Sequence, residues 1–148
     1  FLKGRMRELG MQVETDPVGN LHGVLQGSDP EAKSIVLGSH MDTVMQGGVY
    51  DGMLDVTGAK YSTPCDPRLI KLIDDVCTEK GISHIIMPSG AGHDANSMAH
   101  EGVPIGMIFV PSVKGISHQG DEYTKPEHID MGADVLYQTV LKLDENGF

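Results

Sequence analysis

The sequence predicts an α/β fold: a three-layer sandwich around a mixed, mostly parallel sheet. Three observations lead there. Apolar runs alternate with amphipathic helical stretches, the pattern of a sheet covered by helices on both faces. The runs SIVLG, ISHIIM and PIGMIFV are unbroken rather than alternating, as suits strands buried on both sides. Each run ends in a polar loop that carries a histidine, GSHMD, SGAGHDA and GISHQ. Loops at the C-terminal ends of such strands are where α/β sheets bind ligands.

The elements follow in order. Leu2 to Leu9 has apolar residues at 2, 6 and 9, a helical spacing, and Gly10 closes it. MQVETD and LHGVLQG read as a hairpin around the turn Asp16–Asn20, and GSDPEAK as a polar loop. A strand is expected at about 35–38. MLDVTGAKYSTPCDP holds too many Gly, Ser, Thr and Pro residues for a helix. Asp66-Pro67 starts the next helix, as N-cap and first-turn proline. Leu69, Ile70, Leu72, Ile73, Val76 and Cys77 form its buried stripe, and Gly81 ends it. Strands are expected at about 83–87 and 106–110, with a helix between them ending at Gly102. KPEHIDMGADVLYQTVLKLDENG is a long helix with Ile129, Ala133, Leu136, Val140 and Leu143 on one side.

Composition narrows the function classes. The chain has 148 residues, enough for one domain with a core, and 39% of them are hydrophobic. A net charge of −10, from 11 basic and 21 acidic residues, argues against a nucleic-acid or anionic-membrane partner. No run of ~18 apolar residues offers a membrane span. The opening FLKGRMRELG has neither an initiator Met nor an apolar leader and reads as the middle of a helix inside a larger protein. Cys65 and Cys77 lack metal-finger spacing and read as structural thiols in a reducing, cytoplasmic setting.

GSHMDTVMQGGVYDG, Gly38 to Gly52, sets His40, Asp42 and Asp51 in a glycine-studded segment at a strand end. Imidazole and carboxylate groups are the donors a divalent ion takes. The plainer alternative is a polar turn with Asp and Gly chosen for turn geometry. His118 is the other ligand candidate. His93, beside Asp94 at a helix start, is either a substrate contact or a capping-region residue. His22, His84, His100 and His128 lack such company and read as structural or surface groups. The nine methionines sit mostly at apolar positions and read as core filler.

Three segments, GSHMDTVMQGGVYDG, MPSGAGHDANSMA and GMIFVPSVKGISHQGDEYT, together with the hairpin DPVGNLHG, resemble the signatures of the dinuclear-metal amidohydrolases related to aminoacylases and carboxypeptidases. The hydantoinase/carbamoylase branch, with N-carbamoyl-amino-acid hydrolases and allantoate amidohydrolases, is the most similar. The resemblance implies two divalent metal ions, Zn or Mn. It implies that His40 ligates one, Asp51 bridges both and His118 ligates the other. Asp42, the catalytic assignment, then orients and polarises the His40 imidazole. Ser89, Gly90, Ala91, Gly92, His93 and Asp94 line the substrate pocket, the small residues letting backbone amides approach the substrate. A small amide or ureido substrate and a homodimeric parent protein follow as expectations.

The chain departs from that family at one place. Members carry a Glu-Glu pair after the YDG helix, the first a general base and the second a ligand, and then a lid or dimerisation domain. Here YDGMLDV runs within a few residues into TGAKYSTPCDP, and no Glu-Glu occurs. The expectation is a catalytic domain over 1–148 with an internal deletion near 56–61. Asp55 stands where a Gly is usual, and Asp74, Asp75 and Glu79 are expected on the solvent side of their helix. The leading function is metal-dependent hydrolysis of a linear amide C–N bond, of N-carbamoyl amino acid or allantoate type. The alternatives are a non-catalytic remnant, an aminoacylase or peptidase substrate, and a metal-free binding module using SGAGHD as an anion pocket.

Overall fold

The computed structural model describes residues 1–39 and 63–147. The chain divides into two compact units, Phe1–Gly38 and Ser39–Phe148. His40, Asp42, Asp51 and the expected deletion point near 56–61 lie outside the described residues.

The first unit is a helix, α1 (Leu2–Glu8), followed by a hairpin of β1 (Gln12–Thr15) and β2 (Leu21–Val24). The strands pair antiparallel, with Val13 opposite Gly23 and Thr15 opposite Leu21. The turn is built by Asp16. Its carboxylate accepts from the backbone N–H of Val18 at 3.0 Å and of Asn20 at 2.8 Å, and from the Asn20 side-chain amide at 2.7 Å. Burial pushes the Asp16 carboxyl up, but the bonds from Asn20, His22 and Val18 outweigh it and hold the group below its ordinary range. Gly23 is a point of close approach: a Cβ there would stand 3.0 Å from the Met11 sulfur and 3.2 Å from that of Met6.

The second unit contains three α-helices among its described residues: α2 (Pro67–Glu79), α3 (Ala95–His100) and α4 (Pro126–Asn146). Asp66 caps α2 as its sequence demands. Its Oδ1 accepts from the Arg68 backbone N–H at 2.8 Å, and Oδ2 takes the Arg68 guanidinium at 2.8 Å. Those Arg68 bonds hold the Asp66 carboxyl below its ordinary range. Three helices end in the same way. After α2, Gly81 N–H donates to the Thr78 carbonyl and Ile82 N–H to the Cys77 carbonyl; α1 repeats this with Gly10 and Met11, and α3 with Gly102 and Val103. In each the glycine takes a positive φ, between 66° and 81°, where a side chain would be strained.

The core of this unit lies between α2 and α4. Val76, Cys77 and Val135 are buried, with Ile73, Ile82 and Ile108 packed against them. Ion pairs flank the seam, Lys80 with Asp134 at 2.6 Å and Lys142 with Glu79 at 2.6 Å. The segment 105–110 is fixed against both helices. The Asp66 N–H donates to the Ile105 carbonyl at 2.8 Å. A Cβ on Gly106 would sit 3.0 Å from Leu69 Cβ, and one on Gly132 of α4 only 2.5 Å from Val110 Cγ1.

Three expectations are corrected here. Residues 35–38, 83–87 and 106–110 form no strands; the sheet among the described residues is the two-stranded hairpin alone. A parallel strand exists only with hydrogen-bonded neighbours, and none of these runs has one there. Their side chains are correspondingly open, Ile85 being 77% exposed. The described residues therefore combine helices with antiparallel strands and do not form the mostly parallel sandwich. The inward face of α4 is also rotated from the expected stripe. Val135 and Thr139 are buried, whereas Ile129 is 53% exposed and Ala133 and Leu136 are also exposed. Small Gly132 lets the helix approach Val110, and the Thr139 hydroxyl donates to the Val135 carbonyl at 2.8 Å, so it is buried without an unmade bond. Asp74, Asp75 and Glu79 are each engaged, with His84, Lys71 and Lys142, and the first two are half-buried rather than wholly on the solvent side.

His84 ties the chain after α2 back onto that helix. Its Nδ1 lies 2.8 Å from the Ile82 carbonyl and its Nε2 2.7 Å from Asp74 Oδ1. Both partners only accept, so both bonds require the doubly protonated ring. The Ile82 carbonyl first, and then Asp74, raise the His84 pKa above its ordinary 6.5. Stability from this clasp is complete below the ordinary value and is lost as pH climbs through the raised one. Asp74→Ala is expected to move the His84 titration back toward 6.5, read by NMR, and to flatten the pH dependence of melting on the alkaline side of that value.

Gly132→Ala is expected to destabilise the second unit. Crowding against Val110 costs about 1–3 kcal/mol, while better helix propensity returns at most about 1 kcal/mol. Val110→Ala in the same chain should restore most of the loss, measured as a double-mutant cycle in urea.

Candidate substrate loop and the His118 loop

The loop that follows 83–87 carries the expected substrate residues, and the structure brings two of them together. Ser89 Oγ lies 2.7 Å from His93 Nε2. The same oxygen accepts from the Ala91 N–H at 3.2 Å, which tightens the glycine-containing turn. The His93 ring meets Phe109 at 5.5 Å between centroids and 55° between planes, a tilted aromatic contact. Phe109 belongs to the segment held against α2 and α4, so this ring pair links the packed core to the loop. Asp94 precedes α3 without a side-chain capping bond. Gly90 and Gly92 face open space: a Cβ on either would meet nothing within 4 Å. Their smallness relieves no clash among the described residues.

His118 sits in a second loop, from Ser112 to Tyr123, closed at its base by the Val113 N–H donating to the Tyr123 carbonyl at 2.8 Å. A single 3-10 turn, Val113–Gly115, opens it. His118 has a φ of 58°, uncommon for a residue with a side chain. Its N–H donates to Glu122 Oε2 at 2.8 Å, and Ser117 Oγ stands 3.3 Å from Nδ1. Its side chain is exposed.

Glu122 and Phe109 were not singled out from the sequence. Phe109 reads as one more apolar residue of PIGMIFV, and only its contact with His93 distinguishes it. Glu122 stands four residues after His118, and nothing in GISHQGDE marks it as the partner of a strained backbone. A concavity of about 350 Å³ beside Cys65, Pro104 and Ile105 holds none of the expected site residues. Cys65 and Cys77 are both free thiols, and burial pushes the Cys77 thiol up, away from reactivity. Among the described residues no three His, Cys, Asp or Glu side chains are grouped to hold a metal ion. Of the expected ligands they supply His118 alone, and one imidazole does not make a metal site. No helix among them is long and apolar enough to cross a membrane.

The sequence pattern of peptidase family M20/M25/M40 matches residues 48–142. That is more than half of the 148 residues, and the chain belongs to this family. Among curated proteins, a ureidoglycolate hydrolase of Arabidopsis thaliana is 44% identical over 78 residues, 53% of this chain and 16% of that protein. An N-carbamoyl-L-amino-acid amidohydrolase of Pseudomonas sp. (strain NS671) is 41% identical over 84 residues, 57% of this chain and 20% of its own length. Allantoate deiminase 1 of Glycine max is 39% identical over 54 residues, 36% of this chain and 11% of its own. The chain thus spans a fifth or less of these relatives. Their names bear out the amidohydrolase resemblance that the motifs carry.

Replacing Glu122 with Ala should release the His118 backbone. The expected outcome is faster hydrogen exchange at the His118 amide with little change at Val135 in the core, read by NMR or mass spectrometry.

Proposed function

We propose that this chain is part of a metal-dependent amidohydrolase that cleaves a linear amide C–N bond of ureido type, as in an N-carbamoyl amino acid or allantoate. The observation that carries the reading is the set of relatives just described, three proteins named for ureido or carbamoyl substrates on a family match over 48–142. In this reading His40, Asp51 and His118 are ligands of two divalent ions, zinc or manganese, and Asp42 orients His40. Such a pair supplies an activated water and a polarised carbonyl. Ser89 to Asp94 line the substrate pocket, and His93 is the residue there whose ring is held in place. The catalytic domain runs over 1–148 and is interrupted near 56–61, where the glutamate pair and lid would enter.

The same reading accounts for the open apolar runs. Ile35 to Leu37, Ile85 to Met87, and Phe109 with Val110 are exposed. In a longer form they are strands of the mostly parallel sheet, paired with strands that this chain does not contribute. A dimeric parent belongs to the same proposal.

One feature favours a second reading, a non-catalytic piece of such an enzyme: no Glu-Glu pair occurs in the sequence. Loss of a general base costs about 10²–10⁴-fold in rate. The test compares ammonia release from N-carbamoyl amino acids and allantoate by this chain and by a longer form carrying the glutamate pair and lid. The longer form is expected to hydrolyse at least one of them, and this chain to be slower by at least about 100-fold. No ammonia from either substrate by the longer form would overturn the ureido assignment. Turnover by this chain within tenfold of the longer form would show that another residue serves as base.

A further inference from the structure

Ser89 Oγ has one proton and two lone pairs. The Ala91 N–H, at 3.2 Å, takes a lone pair. The His93 Nε2 lies at 2.7 Å. That separation is usual for a hydroxyl donating and short for a ring N–H donating, whose usual distance is about 2.9–3.0 Å. A hydroxyl donating to Nε2 fits that separation, and a neutral ring accepting there would carry its own proton on Nδ1. Phe109 holds the ring plane from the side, at 5.5 Å and 55°. Two restraints of different kind thus fix one imidazole. Its Nδ1 edge has no hydrogen-bond partner among the described residues, in a loop whose glycines face open space.

We propose that Ser89 is a positioning residue: it holds His93 as the neutral Nδ1–H tautomer, so that His93 presents a hydrogen-bond donor to the carbonyl or carboxylate oxygen of a carbamoyl substrate. A donor suits this chemistry because both kinds of oxygen only accept. A neutral donor also avoids burying an extra positive charge when the substrate closes over the loop. The identity of the ligand rests on the ureido reading above; the tautomer and its cause do not.

The experiment keeps the two apart. Nitrogen-15 NMR of the His93 ring distinguishes Nδ1–H from Nε2–H in the chain as it stands, at a pH where the ring is neutral. Wild type is expected to show Nδ1–H. Ser89→Ala is expected to lose that preference, and Ser89→Thr, which keeps the hydroxyl, to retain it. The α2 and α4 amide signals report that each variant is folded. An Nε2–H ring in wild type, or an unchanged Nδ1–H ring in folded Ser89→Ala, overturns the positioning role. N-carbamoylglycine is then titrated in, with His93 followed throughout. It should shift the His93 signals, and Ser89→Ala should weaken its binding about three- to tenfold, the worth of one neutral hydrogen bond. The expected tautomer with no shift at saturating N-carbamoylglycine overturns the ligand assignment, and the ureido reading of this loop with it.

Discussion

The second unit depends on how closely α4 can approach the segment 105–110, and that distance is set by an absent atom. Gly132 has no Cβ, and Val110 Cγ1 occupies the place one would take, 2.5 Å away. Gly106 does the same toward Leu69 on α2. With both glycines in place, one extended segment is caught between two helices, and Ile108 reaches the cluster of Val76, Cys77 and Val135. The ion pairs at the seam, Lys80 with Asp134 and Lys142 with Glu79, are solvent-accessible and add register more than energy. The core itself is small. Val76, Cys77, Val135 and Thr139 are the buried residues among those described.

A small core makes the few cross-links that leave it important. Phe109 carries the position of the packed segment out to His93. His84 carries the end of α2 back to Asp74. The loop from Ser112 to Tyr123 relies on its own closure, with Glu122 holding the His118 amide against an unfavourable φ. The two histidine loops are therefore positioned differently, one by an aromatic contact to the core and the other by local hydrogen bonds.

Family membership and ordered chemistry enter at different levels. The match over 48–142 shows the family, and the relatives' names concern what those proteins act on. The described geometry concerns what a few side chains can do. His118 is one imidazole, Ser89 and His93 are one hydrogen-bonded pair, and the apolar runs 35–37 and 85–87 are exposed.

The sequence by itself determined everything that neighbouring residues can settle. Asp66 before Pro67, glycine after α1, α2 and α3, and Asp16 to Asn20 between two short strands each satisfy backbone groups within about six residues, so the letters suffice. The motifs likewise determined the family. Tertiary structure decided what depends on distant partners. It left 83–87 and 106–110 without strand partners, because a parallel ladder is made by other segments and not by the run itself. It turned α4 toward Gly132, Val135 and Thr139 rather than Ile129 and Leu136, with Gly132 letting that face lie against Val110. And it joined Ser89, His93 and Phe109, since a side-chain bond four residues along a loop, braced by a ring sixteen residues further on, exists only once the chain is packed.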